Sequence, residues 1–169
     1  MTGIQARLLS LRVLRPTNYH RHLALHQSTC KFSTTKMSVG GTFQHVKNEN
    51  FVEYLTALGV PEDKAKLADS FKPKLQVVVD GKKVSVNSDS GVENSSSTFT
   101  LGEEVDEPLP NNITLKSTAK IDGSTLTVTS KSPKGKSGSR VFKFSDSELV
   151  VTLSEDGGSV VAKRFYKRV

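Results

Sequence analysis

Downstream of Pro73 the apolar residues stop recurring every three or four positions and begin to alternate, and they keep alternating to the end of the chain. A period of two belongs to half-buried strands, which excludes a helical bundle for this stretch. The runs are rich in Val, Thr and Leu. They are punctuated by Asp80-Gly81, Asp122-Gly123, Pro133-Lys134-Gly135, Asp146-Ser147 and Asp156-Gly157-Gly158, the pattern of successive β-hairpins. Strands are expected near 74–79, 82–87, 91–94, 97–101, 105–107, 113–121, 124–130, 139–145, 148–153 and 159–168, with one more at 40–46. So many short antiparallel strands close into a barrel or sandwich, because closure removes exposed edges.

Two short helices separate the first strand from the rest. Phe51, Tyr54, Leu55 and Leu58 form one apolar stripe at i, i+3, i+4 and i+7, Gly59 stands at the stop, and Asn50 with Glu53 has the spacing of a capping pair. The second helix opens at Pro61 with Glu62 and Asp63 in its first turn, runs through Ala65, Leu67 and Ala68, and must stop before Pro73. A helix pair in a chain otherwise made of strands suggests a lid.

The net charge of +7 does not belong to this body. Residues 1–36 hold six Lys or Arg and no acid, which leaves 18 basic against 17 acidic residues beyond them. A nucleic-acid face needs clustered cations on the folded part, so that class is excluded for the body. Residues 1–36 read as a basic leader outside the fold, either an organelle transit peptide or an upstream-start extension ending at Met37, and residues 37–169 as one domain. His20, His22 and His26 in the leader are expected to be solvated, with no metal. Cys30 is the only cysteine, so the body has no internal disulfide or thiolate site. No run reaches the roughly 18 apolar residues that would span a bilayer as a helix.

Charges also settle which strand residues face inward, because lysine avoids a closed interior. Lys116 and Lys120 mark the outer face of their strand and turn Ile113, Leu115, Ser117, Ala119 and Ile121 inward; Lys143 does the same for Arg140, Phe142 and Phe144. In the last strand, Lys163 and Lys167 place Ala162, Arg164 and Tyr166 inside. A buried guanidinium without an anion costs several kcal/mol, so something negative is expected to meet Arg164. No acid of inward parity on the neighbouring strands is an obvious partner. A ligand carboxylate at Arg164 and Tyr166, with an apolar tail toward Phe99, Leu101 and Leu115, would satisfy it; an exposed arginine near a strand end is the competing reading.

These residues resemble the cytosolic fatty-acid-binding protein family, which includes the cellular retinoid-binding proteins. The likeness spans residues 37–169 and rests on Gly41-Thr42-Phe43, Asn48-Glu49-Asn50-Phe51, Tyr54-Leu55, Leu58-Gly59-Val60, Lys72-Pro73, Phe99-Thr100-Leu101-Gly102-Glu103-Glu104 with Asp106-Glu107, Lys116-Ser117-Thr118, Glu148-Leu149-Val150-Val151 and Lys163 to Val169. It implies an all-β, ten-stranded antiparallel up-and-down β-clam with a helix-turn-helix lid between strands 1 and 2, enclosing a cavity for one long-chain carboxylate. It also implies that the Arg-x-Tyr of the last strand, here Arg164 and Tyr166, grips that carboxylate. The family's second arginine falls at Phe142, so either Arg140, two residues earlier on the same face, takes its place at the carboxylate or Arg164 and Tyr166 hold the head group alone, and a further cavity arginine falls at Ile113. His45 and Val52 replace an apolar and an acidic residue. Phe51, Tyr54, Ala68, Pro73, Val92, Phe99 and Leu115 complete the ligand-contacting set that the resemblance implies, with the portal between the second helix around Ala68, the turn carrying Val92, and the turn after Asp106-Glu107.

The expected function is therefore a non-enzymatic carrier of a long-chain fatty acid, monomeric and cytoplasmic, or mitochondrial if the leader is a transit peptide. The alternative is a binder or buffer of retinoic acid or another hydrophobic carboxylic acid. Neither reading calls for a cofactor. Catalysis is disfavoured: there is no Gly-x-Ser-x-Gly elbow and no Gly-x-Gly-x-x-Gly, and His45 is the body's only histidine. Gly135-Lys136-Ser137 resembles the end of a phosphate loop, but Ser130 stands where that loop needs glycine. The acids Glu103, Glu104, Asp106 and Glu107 read as a solvated strand edge. Lys64, Lys66, Lys72 and Lys74 offer a face that could touch anionic membranes in passing, or simply a solvated one.

Overall fold

The computed structural model describes residues 39–109 and 113–169. The leader, its histidines, Cys30 and the Met37 start lie outside them. β1 (Gly41–Glu49) leads into α1 (Phe51–Ala57) and α2 (Glu62–Ser70), followed by β2 (Lys74–Asp80), β3 (Lys83–Asp89), β4 (Asn94–Thr100), β5 (Glu104–Leu109), β6 (Ile113–Asp122), β7 (Thr125–Lys131), β8 (Ser137–Phe144), β9 (Glu148–Glu155) and β10 (Val161–Arg168). The ten strands form one antiparallel sheet in the order β4-β3-β2-β1-β10-β9-β8-β7-β6-β5. Each strand therefore pairs with its neighbour in sequence, except that β10 returns to β1 and no ladder joins β4 to β5. A lone bridge from Leu101 to Ala119 crosses near that seam.

Ten strands form where eleven are expected. The segments near 91–94 and 97–101 are one strand, β4, because Ser90 to Glu93 make the hairpin turn themselves: the Ser90 amide donates to the Glu93 carbonyl at 3.1 Å, and the Glu93 amide to Ser90 Oγ at 2.9 Å. The capping pair is also not formed. Asn50 adopts a left-handed conformation (φ 55°) that asparagine tolerates, and its side chain donates to the Val161 carbonyl at 3.3 Å instead, tying the start of α1 to β10. α1 stops where expected, at Gly59 (φ 90°), with the Val60 amide donating back to the Leu55 carbonyl at 3.0 Å. Pro61 caps α2 rather than sitting in its first turn.

Alternation sets the burial. Leu75 and Val77 on β2, Leu126 and Val128 on β7, and Leu149 and Val151 on β9 are buried, while Lys74, Gln76, Glu148 and Thr129 face out or are partly covered. Phe43 and Phe144 meet at 5.8 Å between ring centres in the floor of this core. The helices are seated lightly: α1 buries Phe51 and α2 buries Ala65, whereas Leu58 and Leu67 are 44% and 58% exposed. No helix among the described residues is long and apolar enough to cross a membrane.

Candidate functional site

The inward face of β10 carries the first polar centre. Arg164 lies opposite Val151 on β9 and Asn48 on β1; Tyr166 lies opposite Leu149 and His45. The guanidinium donates through Nε to Asn48 Oδ1 at 3.1 Å and rests 4.5 Å over the Phe51 ring of α1. Among the described residues neither its Nη atoms nor the Tyr166 hydroxyl has a hydrogen-bond partner. Burial pushes the Tyr166 phenol above its ordinary value, partly offset by the Arg164 charge, so it stays a neutral donor at physiological pH. The arrangement offers two guanidinium donors and a phenol to an anion.

Around this pair stands a polar chain that sequence reasoning missed. Asn48 Nδ2 donates to Asp69 Oδ1 of α2 at 2.9 Å and faces the Asp69 carbonyl at 3.3 Å, which leaves Oδ1 as the acceptor for Arg164. His45 Nε2 lies 2.7 Å from the same oxygen and must be the protonated nitrogen. Its Nδ1 is buried with no hydrogen-bond partner among the described residues. Burial keeps the imidazole below its ordinary value, the Arg164 charge adds to this, and the Asn48 bond opposes it. The His45 ring meets Tyr166 edge-on at 5.2 Å.

A second polar centre is built from side chains of β4 to β8. Arg140 on β8 grips Glu107 of β5 with both ends of its fork, Nη1 to Oε1 at 2.9 Å and Nη2 to Oε2. Ser97 of β4 donates to Oε1 at 2.7 Å and Ser117 of β6 to Oε2 at 2.8 Å, while Arg140 Nη2 reaches Ser130 Oγ at 3.2 Å. Burial alone would raise the Glu107 carboxyl, but the bonds and charge of Arg140, with the serine hydroxyls, hold it below its ordinary value. The acidic run is thus not a uniformly solvated edge. Glu107 is 2% exposed. Its inward parity with Val105 is the signal that could have revealed it.

Phe142, which stands at the family's second-arginine position, is buried between Val151 and Leu126 in the same cross-strand row as Arg164. It supplies apolar wall. An apolar-walled hollow of about 570 Å³ lies under α1 beside the β7–β8 turn and is lined by Tyr54, Leu58, Ile113, Leu115, Ser130 and Arg140 among others. Arg164 and Tyr166 do not line it, so Tyr54, Leu115 and Arg140 gather at one place and Phe51, Arg164 and Tyr166 at another. Phe99 is core, 5.8 Å from the Arg140 guanidinium. Pro73 is buried at the start of β2, where its carbonyl accepts from the His45 amide at 3.1 Å. Ala68 is half-buried on α2, and Val92 is 79% exposed in the β3–β4 turn. A separate hollow of about 420 Å³, lined by Gln76, Asn87 and Ser96, lies on the outer face of β2 to β4.

Comparison with known proteins gives a consistent set. The profile of the "Lipocalin / cytosolic fatty-acid binding protein family" matches residues 40–169. "Fatty acid-binding protein homolog 5" of Caenorhabditis elegans is 35% identical over 129 residues, covering 76% of this chain and 94% of the relative. "Fatty acid-binding protein 9" of Homo sapiens is 31% identical over 129 residues, covering 76% and 96%. A solved structure of the Schistosoma mansoni fatty acid binding protein in complex with arachidonic acid aligns with a TM-score of 0.71 at 29% identity, covering 79% of this chain and 98% of that one.

Proposed function

Because the chain belongs to the lipocalin / cytosolic fatty-acid binding protein family, we propose that it is a non-enzymatic, cytoplasmic carrier of a long-chain fatty acid whose carboxylate is held by Arg164 and Tyr166. One observation carries the head-group assignment. Of the two arginines inside the barrel, Arg140 is paired with Glu107, whereas the Nη atoms of Arg164 and the hydroxyl of Tyr166 have no protein partner among the described residues. A carboxylate there would meet two charge-assisted donors and a phenol, and the alkyl tail would gain about 0.8 kcal/mol for each methylene taken from water. The relatives' names point to the same ligand class. The architecture supports carriage: a single acid could be shielded inside, and the lightly seated helices would give it a way out.

A charge-assisted hydrogen bond contributes about 1.5–3 kcal/mol, so Arg164→Gln is expected to weaken fatty-acid binding roughly ten- to a hundredfold. Tyr166→Phe costs less. The methyl ester of the same acid should bind the wild type poorly and the Arg164→Gln protein almost as well as the acid does. Equal binding of acid and ester by the wild type, measured by displacement of a fluorescent fatty acid, would overturn the anchor.

A further inference from the structure

β1 carries an irregularity at the one place where it runs beside the Arg-x-Tyr of β10. Tyr166 and Arg164 are two residues apart and so share a face, as do any i and i+2 in a strand. Their partners on β1, His45 and Asn48, are three apart, which in a regular strand would send them to opposite faces. The register shifts between His45 and Lys47, so Val46 is taken up as a bulge and His45 and Asn48 both come to lie against the pair on β10. Val46 itself is 45% exposed. Bulges of this kind re-aim side chains, and this one aims two polar side chains at the anchor.

What those side chains do there is specified by their bonds. The Asn48 amide is oriented by Asp69, whose carboxylate and carbonyl both face its Nδ2. Its oxygen is thereby presented to Arg164 Nε and His45 Nε2 together. Because Nε is the donor engaged, the outer edge of the guanidinium, with both Nη groups, is left for an anion. The His45 ring packs edge-on against Tyr166 and limits the swing of the phenol. The chain of contacts ends on α2, so the same asparagine that holds Arg164 also holds the helix.

Building on the carboxylate reading above, we propose that His45 and Asn48 are positioning residues for the head group, aiming Tyr166 and Arg164 at the carboxylate, and that Asn48 passes occupancy of that site to α2 through Asp69. Neither touches the tail. Their loss should therefore be felt by an acid and not by its ester.

The test compares palmitic acid with methyl palmitate on the full chain by fluorescent displacement. Asn48→Ala should weaken the acid about tenfold and leave the ester within about twofold, a loss the size of one charge-assisted hydrogen-bond arrangement. Adding Asn48→Ala to Arg164→Gln should cost the acid nothing more, since residues acting through one guanidinium are not additive. His45→Leu, which fills the site with an apolar residue and guards against a folding failure at Asn48, should narrow the acid-to-ester ratio in the same direction. Hydrogen exchange supplies the readout at the helix: the acid should protect the amides of α2 more than the ester does, and Asp69→Ala should abolish that difference and, by releasing the Asn48 amide, narrow the acid-to-ester ratio in the same direction as Asn48→Ala. If Asn48→Ala weakens acid and ester equally, or if its effect adds in full to that of Arg164→Gln, the positioning role is wrong although the anchor stands. If the wild type fails to distinguish acid from ester, the anchor itself has fallen.

Discussion

Arg140 and Glu107 hold each other inside the barrel wall, and removing either one leaves a buried charge with no counterpart. Arg140→Leu is expected to destabilise the fold by about 3–5 kcal/mol, at the lower end because the arginine side chain is 29% exposed. The double change Arg140→Leu/Glu107→Leu should recover most of that loss, since replacing both partners with apolar groups is often close to neutral. Urea unfolding of the two variants checks this, and a double variant no more stable than the single would contradict it. Glu107 also sets a pH dependence. Its folded carboxyl lies below the ordinary value of 4.5, so the stabilisation is complete above that value and is lost as the pH falls through the lowered one. The double variant should lack this component. At this scale the sequence is legible where a lysine marks the outer face: Lys163 and Lys167 expose the parity of Arg164 and Tyr166. Glu107 is hidden because its neighbours Glu103, Glu104 and Asp106 give the run the composition of a solvated edge, and only Val105 betrays the alternation.

Elements were legible where a turn residue stands at each end. Asp80-Gly81, Asp122-Gly123 and Asp156-Gly157 mark three hairpins, and their first glycines take φ values of 57°, 55° and 76° that other residues resist. Two features escape such reading. The β4 boundary is obscured because Asn94 to Ser97 are polar on both faces, with no apolar residue to set the parity until Phe99. The bulge in β1 leaves no mark in composition, and counting parity through it sends Asn48 to the wrong face. The helices follow their stripes, yet those stripes are short, and this has a kinetic consequence. α2 ends beside the start of β2, whose Lys74 pairs with Asp89 just before the β3–β4 turn, so the turn carrying Val92 stands at the same end of the barrel as the last turn of α2. If the acid passes between them, an engineered disulfide joining α2 to the Ser90–Glu93 turn should slow ligand exchange far more than it changes affinity. Stopped-flow exchange in oxidised and reduced forms decides the matter; equal rates would refute the gate.

At the scale of the whole molecule, residues 39–109 and 113–169 supply every strand of the sheet and both helices of the cap among the described residues. We therefore propose that the basic leader, residues 1–36, is dispensable for folding and binding. A chain beginning at Met37 should unfold with the same cooperativity and bind the same acid, as measured by thermal unfolding and displacement. Loss of the cooperative transition would refute this.

The seam between β4 and β5 leaves two strands with unbonded outer edges, the condition under which sheets add strands from other molecules. Here the two edges face one another, and Ser97 reaches across to Glu107 at 2.7 Å. β5 carries Pro108, a residue that sheets admit at their margins because it removes a donor, and β4 is short and serine-rich. The carboxylate that pairs with Arg140 is thus also the group that ties β4 to β5 across the seam. Any opening of this seam would expose the two edges through which one copy could zip onto the next, and the Ser97–Glu107 bond stands against it.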